Sequence, residues 1–220
     1  MSHDTETGAS IYSPLVLGLY DAWVLGLSNR YAWQCPTRDV LLPFFRRHAG
    51  EVHLDVGVGT GFYPVHAGLP VSTRVTLLDL NPASLQAAKR RLDRATTTLV
   101  RHDVMTPLPA RRVGSFDAIS LFYLLHCLPG TMSDKARVFA HLKRHLRPGG
   151  VLYGATILGD EAGHNRFGRG LMAIYNRKGI FGNRHDTRLG LEQALRRHFG
   201  EVDVRIVGKV ALFEARRPLP

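Results

Sequence analysis

Residues 51–62 read EVHLDVGVGTGF. An apolar run climbs to Asp55, and glycines then fall at every second position: Gly57, Gly59 and Gly61. A strand that enters a glycine-rich turn and leaves as a helix is a device for holding a small ligand. Glycines let the backbone turn tightly and approach the ligand, and the helix N-terminus presents free N–H groups. In doubly wound sheets such a turn lies at the carboxyl ends of the strands, where the strand order reverses.

The spacing narrows the ligand. A dinucleotide fingerprint is GxGxxG, but counting from Gly57 puts Phe62 in the last glycine's place. The pattern is GxGxG, which disfavours a nucleotide-dependent dehydrogenase. Three acids surround it: Asp55 before the glycines, Asp79 at the end of the second apolar run and Asp103 at the end of the third. A carboxylate placed like Asp79 accepts hydrogen bonds from both hydroxyls of a ribose, or caps the helix that follows. Asp103 is placed either to bind an exocyclic adenine amine or to serve as a turn acid. Three acids around one turn suit a nucleoside that carries positive charge and no phosphate.

Outward from the turn, short apolar runs alternate with helical segments. The runs are VHLDV (52–56), RVTLLDL (74–80), TTLVRHDV (97–104), FDAISLFYLL (116–125) and GVLYGATIL (150–158). Asn81 with Pro82 starts one helix, and Ser133 is expected to cap another that stops at RPGG (147–150). This alternation predicts βαβ units and a mainly parallel sheet. After the helical RLGLEQALRRHF (188–199), EVDVRIV and VALFEARR flank Gly208-Lys209, a hairpin spacing. Residues 11–48 read as helical in two segments.

The bulk numbers fit one domain. The chain has 220 residues and 45% hydrophobic content, enough for a sizeable core. Two cysteines, Cys35 and Cys127, make neither a disulfide framework nor a CxxC site; they fit a reducing, cytoplasmic setting. The polar N-terminus lacks an apolar signal core. The apolar stretch 15–27 is broken by Asp21 and falls short of the about 20 residues a membrane span needs. It reads as a packed helix, with membrane-surface contact as the minority alternative. The net charge of +11 raises nucleic acid, anionic lipid or acidic substrates as partners, yet the basic residues are dispersed rather than gathered in a tail.

LDVGVGTGF, LLDLNP, RHDV, FDAISLFYLLHCL and LRPGGVLYGATIL, in this order, resemble the motif series of class I S-adenosylmethionine-dependent methyltransferases, from about residue 50 to the C-terminus. The resemblance implies an α/β, Rossmann-like, seven-stranded, mostly parallel sheet with an antiparallel last strand, helices on both faces and an N-terminal helical lid. Residues 1–49 would be tail and lid, and residues 50–220 the S-adenosylmethionine-binding domain with an acceptor-covering insertion at 159–187. It further implies that Asp55, Gly57, Gly59 and Gly61 hold the methionine part of the donor, that Asp79 with Leu80 holds the ribose, and that Asp103 and Val104 meet the adenine. Phe122 and Tyr123 would line the methyl-transfer side. Tyr20, in LYDAW (19–23), is the expected lid contact with the donor.

Methyl transfer from a sulfonium mostly requires alignment and exclusion of water, so a missing base motif does not count against an enzyme. Nucleic-acid enzymes acting on exocyclic amines usually carry an Asn/Asp-Pro-Pro-aromatic motif after the fourth strand. Here that stretch is SLFYLLHCLPG. Cys127 reads as a buried small residue rather than a cytosine-attacking nucleophile. The expected acceptor is therefore a small molecule, lipophilic or a secondary metabolite, with nucleic acid disfavoured. O-, N-, C- and S-methylation all stay open. The rivals are an RNA or protein methyltransferase and a non-catalytic donor-binding module.

Acceptor candidates are Tyr12 and Trp33 in the lid and Arg166, Arg169, Tyr175 and Arg184 in the insertion, the arginines as partners for an acceptor carboxylate or phosphate. His126 reads equally as a general base, together with Tyr123, or as a structural histidine bonded to backbone. Eleven histidines include no HxxxH pair backed by acids, so no metal is expected.

Overall fold

A computed structural model describes residues 21–93, 96–109 and 113–220, with side chains from Leu25 onward. Seven strands form one sheet in the order β3-β2-β1-β4-β5-β7-β6. These are β1 (Val52–Val56), β2 (Arg74–Asp79), β3 (Thr97–Arg101), β4 (Phe116–Phe122), β5 (Leu146–Ile157), β6 (Phe199–Val207) and β7 (Val210–Pro218). Strands β1 to β5 pair in parallel, while β7 runs antiparallel between β5 and β6. The Gly208-Lys209 hairpin thus slots its second strand into the sheet beside β5, and Leu158 N–H reaches the Lys209 carbonyl at 2.9 Å.

Period-2 alternation assigns each strand residue to a face. On one face Val75, Leu77, Ala118, Phe122, Tyr153 and Leu212 meet the N-terminal helices, α2 (Phe62–His66) and α3 (Pro82–Leu92). On the other, Leu54, Leu78, Ile119, Leu121 and Phe213 meet α4 (Met132–Lys143) and α6 (Arg188–Arg196). The helices change faces between β3 and β4. The carboxyl ends of β1 and β4 therefore diverge at a crevice, the ligand position of doubly wound sheets.

The N-terminal helical region comprises π-wound segments Asp21–Ala32 and Thr37–Leu41, followed by α1 (Leu42–His48). Phe45, fully buried, lies against the rings of His53, Tyr63, Phe122 and Tyr153. Burial of one such side chain contributes about 2–3 kcal/mol relative to exposure. Among the described residues no helix is long and apolar enough to cross a membrane.

Two local expectations are corrected. The N-cap of α4 is Thr131, not Ser133: Thr131 Oγ1 accepts from Asp134 N–H, and the Asp134 carboxylate accepts from Thr131 N–H at 2.8 Å, a reciprocal box that Ser133 cannot make with Ala136 at its third position. The helix also ends at Lys143, before RPGG. The ladder of β5 already begins at Leu146, opposite Phe116, and its register with β4 shifts before Val151 pairs with Ala118. Arg147-Pro148-Gly149-Gly150 is thus the bulged start of a strand, because Pro and Gly are tolerated at such irregularities. Arg147 bonds Asp117 at 2.9 Å, and the same carboxylate accepts from Val52 N–H at 2.9 Å, so Asp117 ties β1 and β5 to β4.

Candidate active site

At the switch point a cavity of about 170 Å³ opens over the ends of β1, β2 and β4. Asp55, Gly57, Gly59, Asp79, Leu80, Asp103, Val104, Phe122 and Tyr123 all line it. Residues far apart in the sequence, which separately carried the expected donor contacts, are brought to one wall. Gly61 is not on that wall. It stands at φ +72°, and a Cβ there would lie 2.8 Å from the Ala88 Cβ, so its role is the close approach of the glycine turn to α3.

The carboxylates are held by the backbone around them. Asp79 accepts from Asn81 N–H at 2.8 Å and, on its other oxygen, from Gly59 N–H at 3.3 Å. It therefore braces the glycine turn against the start of α3, while Asn81 itself caps that helix through Ala83 N–H at 2.8 Å. Burial raises the Asp79 carboxyl above its usual range, against the pull of these backbone hydrogen bonds. Asp103 lies just beyond β3 and accepts from Met105 N–H at 2.9 Å, which makes it a turn acid that also faces the cavity.

Asp55 is buried, and burial pushes its carboxyl up to about 7; the Ser120 hydrogen bond pulls the other way, and the Asp79 charge adds to the rise. Ser120 Oγ donates to Asp55 Oδ1 at 2.5 Å, and His53 Nε2 lies 2.9 Å from the same Oγ. With the hydroxyl proton given to Asp55, His53 must be the donor to Ser120. Burial keeps that imidazole neutral, its pKa lowered to about 3.

Much of the remaining lining is apolar and aromatic. Leu25 from the N-terminal helix, Phe62 and Tyr63 from α2, Phe122 and Tyr123 from the end of β4, and Ile180 from the insertion form it. Tyr123 takes a left-handed conformation at φ +60°, unusual for a bulky residue, and its N–H bonds Ala155 O at 2.8 Å. Its hydroxyl is buried and finds no hydrogen-bond partner among the described residues. Backbone strain of this kind gathers at functional sites. Among the described lining residues there are three carboxylates and no lysine or arginine. Such a cavity repels phosphate and accommodates a cation.

His126 sits behind this wall rather than on it. It is 2% exposed, and its Nδ1 accepts from Ile157 N–H at 3.3 Å, with Thr156 Oγ1 at 3.4 Å. Burial, reinforced by the Lys135 charge, lowers its pKa to about 3. The other acceptor candidates disperse. Trp33 is buried in edge contact with His164 and beside Phe181. Tyr175 packs on Phe181, Arg166 is exposed on α5 (Arg166–Arg177), and Arg169 and Arg184 border a separate surface cavity with Asp160 and His164. Tyr12 and Tyr20 lie outside the described residues. Sequence reasoning missed Leu25, Tyr63, His102 and Ile180, which also face the cavity. Tyr63 alone had a signal, its place one turn into the helix that follows the glycines.

The comparisons with known proteins agree with this geometry. Residues 54–154 match the model of a methyltransferase domain. The chain is 43% identical over 214 residues to the physcion biosynthesis cluster O-methyltransferase of Aspergillus chevalieri, covering 97% of this chain and 96% of that one. It is 50% identical over 192 residues to the putative uncharacterized protein YbcY of Escherichia coli (strain K12), covering 87% and 98%. Its fold matches the DhpI complex with S-adenosylhomocysteine at a TM-score of 0.69 and 20% identity, over 99% of this chain and 98% of that one. The chain belongs to the class I S-adenosylmethionine-dependent methyltransferases. It is an enzyme that transfers a methyl group from S-adenosylmethionine to a small molecule.

Proposed function

We propose that this enzyme O-methylates a small, flat, largely apolar acceptor through an acidic hydroxyl, a phenol or an enol. The observation that carries this reading is the makeup of one cavity, which sets three carboxylates beside an apolar and aromatic lining. When bound, S-adenosylmethionine supplies an electrophilic methyl on a sulfonium. Asp79 accepts from the ribose hydroxyls, Asp103 and Val104 border the adenine, and Asp55 faces the cationic methionine end. Leu25, Phe62, Tyr63, Phe122, Tyr123 and Ile180 hold a flat acceptor and keep water from the reacting atoms. Residues 159–187 act as its cover.

The proton on the acceptor decides the class. Along the aromatic lining the ionisable groups are phenols and the Cys127 thiol, and burial pushes that thiol up to about 12 and Tyr123 well above its usual range. Neither takes a proton near neutral pH. His126 is behind the wall and disfavours a charge. A hydroxyl that ionises on its own, with a pKa of about 10 or below as for a phenol, needs no base here, whereas an aliphatic alcohol does. The Tyr123 hydroxyl, which has no hydrogen-bond partner among the described residues, donates to the acceptor oxygen in this reading. The O-methyltransferase relative named above supports oxygen as the atom methylated.

The test is turnover with methyl-labelled S-adenosylmethionine against matched panels of phenols, aliphatic alcohols and arylamines. Label is expected in phenols. Label confined to amines or alcohols would overturn the reading.

A further inference from the structure

Behind the aromatic wall lies an ion pair that the transfer chemistry does not use. Lys135 in α4 and Asp186 in the return from the insertion meet at 2.6 Å, with side chains 0% and 1% exposed. Lys135 Nζ also donates to Gly182 O at 2.9 Å, and Gly182 N–H donates to His126 O at 2.8 Å. Both backbone groups of Gly182 are therefore tied to the segment after β4. A Cβ at Gly182 would meet Leu128 O at 2.6 Å, so the return is drawn in to a distance that a side chain forbids. Asp186 O accepts from Gly159 N–H at 2.7 Å, which fixes the same return to the end of β5.

One residue held this way reaches the cavity: Ile180 lines it, while the adjoining Phe181 ring stands edge-on to His126 behind the wall, with centroids 4.5 Å apart. A buried ion pair is a poor source of stability, because desolvating both charges offsets most of their attraction, and well-packed apolar replacements are often neutral or better. What such a pair does supply is one permitted geometry: an unpaired charge is costly in every other position of the loop.

We infer that Lys135 and Asp186 are positioning residues that latch the return of the insertion against α4, and so hold Ile180, backed by Phe181, as a specificity-determining part of the acceptor wall. This rests on the proposed function in placing the acceptor at that wall. His126 links β4 to the insertion through its backbone carbonyl, while its ring accepts from Ile157 N–H of β5 and packs against Phe181.

The test uses the full chain and the double replacement Lys135→Met/Asp186→Leu, which removes both charges together and leaves neither unpaired. It is expected to bind S-adenosylhomocysteine within about twofold of wild type by calorimetry, since the cavity's carboxylates are untouched. Backbone amides of 178–187 should exchange at least tenfold faster, and KM for a phenol that wild type methylates should rise about tenfold with kcat less affected. If the double variant does not fold, Ile180→Ala carries the same prediction for KM and donor binding. Unchanged exchange in 178–187, or an unchanged phenol KM in either variant, would overturn the latch. If wild type methylates no phenol, the proposed function fails by itself, and the exchange result still decides the latch.

Discussion

The acidic and the aromatic parts of the cavity lining are built in opposite ways. The acids come from consecutive strands: each sits at or just beyond the end of β1, β2 or β3, which follow one another and pair side by side. The aromatic part collects Leu25, Tyr63, Tyr123 and Ile180 from four separate elements. On the proposed function, the first holds the donor and the second the acceptor. A fixed task is met by a local motif, whereas a variable task is met by side chains that loops and lids bring from a distance.

The comparison breaks most directly at Asp79. Asp79→Ala removes both the expected ribose contacts and the brace on Gly59 and Asn81. Hydrogen bonds to a charged group contribute about 1.5–3 kcal/mol each, so S-adenosylhomocysteine affinity should fall at least 100-fold by calorimetry. Normal binding by this variant would show that the donor does not lie along the acids. Gly61→Ala attacks the same turn from behind. It combines a left-handed backbone, unfavourable by about 1–2 kcal/mol, with a contact at 2.8 Å to Ala88. Overpacking adds about 1–3 kcal/mol, and at about 2–4 °C per kcal/mol for a chain of this size the thermal midpoint should drop by about 5–15 °C.

Legibility follows the same division. The pattern GxGxG and the acids at strand ends are read directly because strand, turn and helix are consecutive, and because a period of two assigns strand faces without knowledge of partners. The parallel run of β1 to β5 and the hairpin of β6 and β7 are legible on the same grounds. Ser133 was mistaken for the α4 cap because the choice among Thr131, Ser133 and their neighbours depends on which acid reaches back, Asp134 in this case. RPGG was read as a helix stop because a bulge is recognised only from its partner strand, β4. Ile180 and Leu25 carry no sequence signal at all: an apolar residue in a helix or loop reads the same whether it faces core or cavity. His126 shows the converse. Its position after β4 suggested a base, and only the burial and the Ile157 N–H show where its Nδ1 points.

Asp55 gives the comparison a pH signature. A carboxyl whose pKa is raised to about 7 is protonated in the free protein below that pH and must ionise to face a cation. Donor affinity therefore rises with pH through 7 and levels off above it. Between pH 6 and pH 8 the S-adenosylhomocysteine Kd should tighten about tenfold. Asp55→Asn should flatten this dependence while leaving the aromatic lining intact.

The aromatic lining is tested by two side chains in ring contact, Tyr123 and His126, whose centroids lie 5.3 Å from each other. Tyr123→Phe keeps the ring and removes the hydroxyl. With one hydrogen bond of about 0.5–1.5 kcal/mol lost, kcat/KM for a phenol should fall about three- to tenfold, with donor affinity unchanged. His126→Gln removes the imidazole but keeps a polar group that can still accept from Ile157 N–H. If the acceptor supplies its own oxyanion, the kcat-against-pH profile of this variant should keep its shape and its plateau within about twofold, because a group titrating near 3 is already neutral throughout the working range and does not face the cavity. Loss of the acid limb from that profile with a fall in the plateau, and Tyr123→Phe silent, would reverse the roles of the two residues and make the segment after β4 the source of a base rather than a wall.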